Sequence, residues 1–189
     1  SAFVVWKLLC DPQLKFLVVS ASKQRADDFS TFTKRIINEM PVLQHLKARE
    51  DQRNSNVAFD VSPSRASHAP TVKSIGITGQ IVGSRAHIII ADDVEVLSNA
   101  LTQVMRDKLG EVGKEFDAVV MQKVGRIVYL GTPQVEESLY AGLQNRGYEC
   151  RIWPSQMPSD KLKEFYGPRL APFINTLKKG IGEPTDPLR

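Results

Sequence analysis

Apolar positions along this chain follow a helical period in some stretches and run unbroken through short segments in others, and the two patterns take turns. Phe29, Phe32, Ile36, Ile37 and Met40 recur at helical spacing behind Ser22, a suitable N-cap, and Pro41 ends the run. A longer stripe, Leu101, Val104, Met105, Leu109, Val112, Phe116, Val119 and Val120, follows Ser98 as its cap and stops before Gly125. Tyr148 to Trp153 reads as the last strand, and between the helical stretches lie short apolar runs rich in β-branched residues: 15–20, 87–91 and 126–130. Each predicts a buried strand. Val57, Phe59 and Val61 alternate instead, as a half-buried strand does. Ser1 to Cys10 is apolar apart from Lys7 and is stopped by Asp11-Pro12, so it reads as the back end of a buried helix, with the chain opening inside that element. Residues 135–146 read as a short helix with acids in its first turn and Gly147 as its stop.

Strands alternating with helices predict an α/β fold with a mainly parallel sheet and helices on both faces. The polar run 47–56, the Pro/Ser-rich 62–70 and the glycine-broken 71–82 read as loops and short extended pieces. From Pro154 onward lie six of the eleven prolines and only short amphipathic pieces. The expected division is therefore a core over 1–153 and an irregular tail or linker over 154–189.

Composition narrows the picture a little. An apolar content of 42% with 24% charged residues is that of an ordinary soluble globular protein, and no apolar run is long enough to span a bilayer. A net charge of +4 permits a nucleic-acid partner without requiring one. Cys10 and Cys150 stand far apart among apolar neighbours and read as reduced core cysteines, which points to a cytosolic compartment. The three histidines show no ligand spacing with one another or with cysteine.

The concentration of charge at the end of the 87–91 run stands out, because Asp92, Asp93 and Glu95 come directly after it. In open α/β sheets ligands bind outside the carboxyl ends of the strands. An acid there can hold Mg²⁺ while its neighbour activates a water, the Walker B arrangement of nucleotide triphosphatases. The same acids also suit a polar turn into the first turn of a helix. A second strand end, after 126–130, carries Gly131-Thr132-Pro133.

The pairing of Asp92-Asp93-Val94-Glu95 with Gly131-Thr132-Pro133 resembles the ATPase domain of viral large terminase subunits, and among them the large terminases of short-tailed podophages. Ser20-Ala-Ser-Lys-Gln-Arg-Ala26, Val72-Lys-Ser-Ile-Gly-Ile-Thr-Gly-Gln80, Gly83-Ser-Arg-Ala86, Tyr129-Leu-Gly-Thr-Pro-Gln134, Arg169-Leu-Ala-Pro172 and Pro184-Thr-Asp-Pro187 are similar to that family too. The resemblance implies a P-loop NTPase sheet of the ASCE type and Mg²⁺-dependent ATP hydrolysis that drives double-stranded DNA into a procapsid. It implies Asp92 as the Mg²⁺ and ATP ligand, Asp93 or Glu95 as the acid that orients the attacking water, and Thr132 as the residue that couples γ-phosphate loss to DNA movement. Arg85 is a candidate finger acting on a neighbouring subunit's nucleotide. Implied partners are duplex DNA, portal, the small terminase subunit and further copies in a ring, in the host cell cytoplasm and without a membrane. Lys23, Arg25, Arg65, Lys73 and the Lys34-Arg35 pair are candidates for DNA phosphate contact.

A Walker A loop, Gly-x-x-x-x-Gly-Lys-Ser/Thr, does not occur in these 189 residues, and neither does a stretch matching the family's nuclease domain. In the resemblance that loop and its strand precede the helix at 2–10, and the strand lies between 126–130 and 148–153. Their loss leaves a gap in the sheet, and weak or absent nucleotide binding is expected of this polypeptide alone. Two other readings of the acids stand beside the terminase one: a helicase-like DNA translocase, and a non-catalytic module that contacts DNA or portal.

Overall fold

A computed structural model describes residues 1–186 and divides the chain into two compact units, Ser1–Ala141 and the residues from Gly142 onward. The first unit is built on a five-stranded sheet of order β2-β3-β1-β4-β5, with β1 Phe16–Ser20, β2 Ala58–Phe59, β3 Val72–Gly76, β4 Ile88–Asp92 and β5 Arg126–Leu130. Only the two-residue β2 runs antiparallel; β3, β1, β4 and β5 are parallel neighbours. Their register is flush, so Gly76, Ser20, Asp92 and Leu130 end together at one edge. The mainly parallel sheet is the one expected from the unbroken apolar runs.

Both faces of the sheet are covered. Helices α1 (Ala2–Cys10) and α2 (Lys23–Glu39) pack one face, where Val4, Val5, Leu8 and Ile37 meet Phe16, Val18, Ile88 and Ile90. On the other face α4 (Gln103–Val119) lays Leu109, Phe116 and Val119 over Leu17, Val19, Ile89 and Ala91, and Ile77 and Ile81 of the loop after β3 complete that layer. Ser22 caps α2 by accepting from the Arg25 N–H at 3.3 Å.

Several details differ from the sequence pattern. The long helix does not start at Ser98: a four-residue turn, α3 (Leu97–Ala100), comes first, and Thr102 caps α4 by accepting from the Met105 N–H. Leu101, Val104 and Met105 therefore lie outside the core and are exposed. Helix α1 is apolar all round yet buries only Val4, Val5 and Leu8, leaving Phe3, Trp6 and Leu9 in solvent, with Trp6 54% exposed. Cys10 is exposed for the same reason, since it lies off the Val4–Leu8 stripe. Phe32 of α2 and Met40, its C-cap, also face outward, and Ala26, Ser30 and Thr33 take the inner positions.

Residues 148–153 are not a strand. Among the described residues an isolated bridge between Ile152 and Leu170 is what pairs there, and β5 forms the edge of the sheet. A short segment with no sheet strand to pair with has no ladder to join, whatever its β propensity. The second unit has a small core of its own, Met157, Leu170, Ala171 and Ile174, wrapped by α6 (Asp160–Tyr166) and turns at Gly167–Arg169 and Pro172–Thr176. Helix α5 (Leu139–Asn145) occupies the later part of the predicted 135–146 helix. No helix of the described residues is long and apolar enough to cross a membrane.

Phe116 is fully buried, whereas Phe32 is 57% exposed. Phe116→Ala is expected to cost about 3–5 kcal/mol in urea unfolding and Phe32→Ala about 0.5 kcal/mol or less. Equal losses would contradict this arrangement of the core.

Candidate active site

The flush register gathers the chemistry-bearing residues at one edge. Asp92 is the last residue of β4 and is paired with Leu130, the last of β5, and the Asp93 N–H donates to the Leu130 carbonyl at 2.9 Å. Asp92, Asp93 and the Gly131-Thr132-Pro133 segment thus leave adjacent parallel strands at the same end. Asp93 turns with φ 45°, a left-handed conformation that Asp tolerates better than most side chains. The turn carries its carboxylate into solvent, and no hydrogen bond holds that carboxylate among the described residues.

Glu95 is placed quite differently. It is 2% exposed and accepts three hydrogen bonds from the segment beyond β5: from the Gln134 N–H at 2.8 Å, the Ser138 hydroxyl at 3.0 Å and the Leu139 N–H at 2.6 Å. A buried carboxylate is tolerated when donors fill its lone pairs in this way. Arg106 adds a second tie, bonding the Ala100 carbonyl at 2.9 Å and the Glu137 carboxylate at 2.8 Å. Asn99 closes the turn after β4 by accepting from the Val96 N–H and donating to the Val94 carbonyl. Together these bonds clamp the loop after β4 to the loop after β5.

Tyr140 enters the site from α5, and nothing in its sequence context marks it. Its hydroxyl stands over Gly131, where a Cβ would overlap it, so any side chain at 131 would displace the ring. Burial pushes the Tyr140 phenol up to about 12; a backbone hydrogen bond at Glu95 opposes this, while the charges of Glu95, Asp93 and Asp92 add to it.

Asp92 is half-buried, and burial raises its pKa above the ordinary carboxylate range; Asp93 adds to the rise, and the amino group of Ser1 and Arg25 oppose it. The amino end of α1 therefore lies within electrostatic reach of Asp92. Arg25, near the start of α2, belongs to the same edge.

Arg85 does not join this group. It precedes β4 by three residues at the opposite edge of the sheet, where its guanidinium bonds the Ser84 carbonyl at 3.0 Å. The other cationic candidates scatter. Lys23 pairs with Asp27 and Arg35 with Glu39, Lys34 bonds the Asn54 carbonyl, and Arg65 and Lys73 sit towards the edge that holds Arg85.

An acid-tipped parallel sheet of this kind is an α/β protein whose site lies at the carboxyl ends of its strands. No family model matches the chain. The chain is 51% identical, over an alignment of 196 residues that takes in all of it, to the terminase large subunit of Enterobacteria phage T3. Identity at that level along the full length of the chain makes it similar to a segment of a terminase large subunit. The chain spans 33% of the length of that relative. Of the terminase-like motifs, Pro184-Thr-Asp-Pro187 is only partly visible, because Pro187 lies outside the described residues.

An acid whose pKa is raised on folding costs stability wherever it is ionised. The cost is absent below the unfolded-state value near 3.9, grows as pH rises through the folded value and is complete above it. Asp92→Asn is therefore expected to raise the urea midpoint at pH 7 in EDTA, with the gain vanishing towards pH 3. A midpoint lowered at pH 7 would contradict the burial and repulsion assigned to this carboxylate.

Proposed function

We propose that the protein to which this chain belongs hydrolyses ATP to package double-stranded phage DNA, and that this chain supplies the hydrolytic part of the nucleotide site. The observation that carries the reading is the junction of Asp92, Asp93 and Gly131-Thr132-Pro133 on adjacent strand ends, held by the buried Glu95. The name of the phage T3 relative supplies the packaging context. In this reading the sheet is of the P-loop NTPase kind. The free edge of β5 is where the resemblance calls for the strand that bears the Walker A loop, and β5 is correspondingly half-exposed. The amino end of α1, close to Asp92, fits as well, because backbone N–H groups and the helix dipole at such an end favour phosphate.

The donor set suits Mg²⁺. Mg²⁺ is held by one or two carboxylates, with phosphate and water oxygens filling the other positions, and Asp92 beside Asp93 offers two hard oxygen donors whose mutual repulsion a cation relieves. When bound, the ion neutralises charge that develops on the phosphate oxygens. Asp92 is its protein ligand in this scheme. Asp93 takes the proton of the attacking water, since its carboxylate is exposed and uncommitted while every hydrogen bond of Glu95 is already given to the neighbouring loop. Glu95 acts as a positioning residue that fixes Thr132 relative to Asp92. Thr132, exposed at the tip of the next strand, senses the γ-phosphate, and Tyr140 supports its loop from below. Portal, the small terminase subunit and a ring of like subunits are the partners this function requires, in the cytoplasm of the infected host. A finger role for Arg85 requires such a neighbour, given its place at the far edge of the sheet.

In the full-length protein, Asp92→Ala is expected to lower DNA-stimulated ATPase about 100-fold or more while duplex binding stays within about twofold. Unchanged ATPase in that variant would overturn the reading in favour of a binding module.

A further inference from the structure

The edge of the sheet opposite the acids carries charge of the other sign. The segments that lead into β3, β4 and β5, residues 62–71, 82–87 and 120–125, contain Arg65, Arg85 and Lys123 together with His68 and His87, and no Asp or Glu; the segment into β1, between them, carries Asp11 and Lys15, and Asp60 after β2 is paired with Arg53. Lys73 near the start of β3 and Arg126 at the start of β5 extend the same edge. Among the described residues none of Arg65, Lys73, Arg85, Lys123 and Arg126 has a carboxylate within ion-pair distance. Unneutralised cations drawn from three separate loops leave this edge net positive despite Asp11 at the entry to β1.

Within that edge lies a cavity of about 140 Å³. Lys73 and Arg85 converge on its rim: the Lys73 ammonium donates to the Ser84 hydroxyl at 3.0 Å, and the Arg85 guanidinium donates to the Ser84 carbonyl at 3.0 Å. His68 stands among the lining residues, Phe16 and Pro70 give apolar wall, and no lining residue is acidic. A cavity of that size has room for a phosphate group.

We propose that this basic edge grips the backbone of duplex DNA, with one phosphate seated in the Lys73–Ser84–Arg85 cavity. The proposal takes from the packaging reading only the identity of the polyanion. Two features favour DNA over a single acidic side chain of a protein partner. The cations continue beyond the cavity along three strand entries, as a repeating phosphate line requires. The opposite edge, about 16 Å away along five-residue strands, carries Asp92 and Asp93 and repels phosphates that no cation accompanies. Separation of the two charges thus keeps DNA off the hydrolytic edge while leaving both sites on the same rigid strands.

The test is duplex binding by the full-length protein, followed by fluorescence anisotropy from 50 to 200 mM salt. A lost phosphate contact lowers the slope of log K against log salt by about 0.9. Lys73→Gln is expected to lower it by about that amount and to weaken duplexes of unrelated sequence equally, and Lys73→Arg is expected to restore it. Arg126→Gln, on an exposed side chain, is expected to lower the slope likewise and guards against a folding defect at Lys73. Unaltered slopes in both Gln variants, with wild-type binding intact, overturn the proposal while the packaging reading stands. So does an unaltered slope accompanied by lost binding of inorganic phosphate, which makes the cavity a free-phosphate site, or by lost self-association, which makes it a protein contact. No duplex binding by the wild-type protein would overturn the packaging reading and this proposal together.

Discussion

The interaction on which the site depends is the burial of one carboxylate. Glu95 is removed from water and filled by three donors that lie 39, 43 and 44 residues further along the chain. An acid in that setting is costly unless every donor is in place, so the loop after β5 has little freedom to leave the loop after β4. The flush register brings the two strand ends together, and Glu95 ties the loops beyond those ends to each other. Asp92 and Asp93 then stand beside Thr132 because both loops are fixed to the same buried group.

This arrangement explains why three neighbouring acids have three different settings. Asp92, at the end of the strand, is half-buried and faces the amino end of α1 and Arg25. Asp93, turned out by its left-handed backbone, is left in solvent. Glu95 folds back under the neighbouring loop. One short segment thereby supplies an electrostatically poised carboxylate, an uncommitted one and a structural one, separated by backbone geometry rather than by residue type.

Much of the fold was legible because continuous β-branched runs can be satisfied in only a few ways, and three of the five strands, β1, β4 and β5, fall on them. The carboxyl-edge acids were legible for the same reason: a strand that ends in Asp-Asp displays its end. Which helix faces find partners was not legible. Helix α1 is apolar on every side, and only packing decides that Val4, Val5 and Leu8 turn inward while Phe3 and Trp6 do not. Residues 148–153 have strand-like composition, yet a strand also needs a neighbour, and none is supplied. The division of labour between Asp93 and Glu95 was equally hidden, since the donors to Glu95 come from the far side of α4 in sequence. Tyr140 and Gly131 make a pair that spacing alone does not announce.

The central claim is that the tips of β4 and β5 share one divalent cation site when nucleotide is bound. It can be tested by replacing Mg²⁺ with Fe²⁺ in the full-length protein with a non-hydrolysable ATP analogue, then mapping the backbone cuts made by locally generated hydroxyl radicals. Nucleotide-dependent cleavage is expected to cluster at residues 92–95 and 131–134 and to be lost on Asp92→Asn. Cleavage confined to other segments, or cuts at 92–95 without any at 131–134, would contradict the shared site.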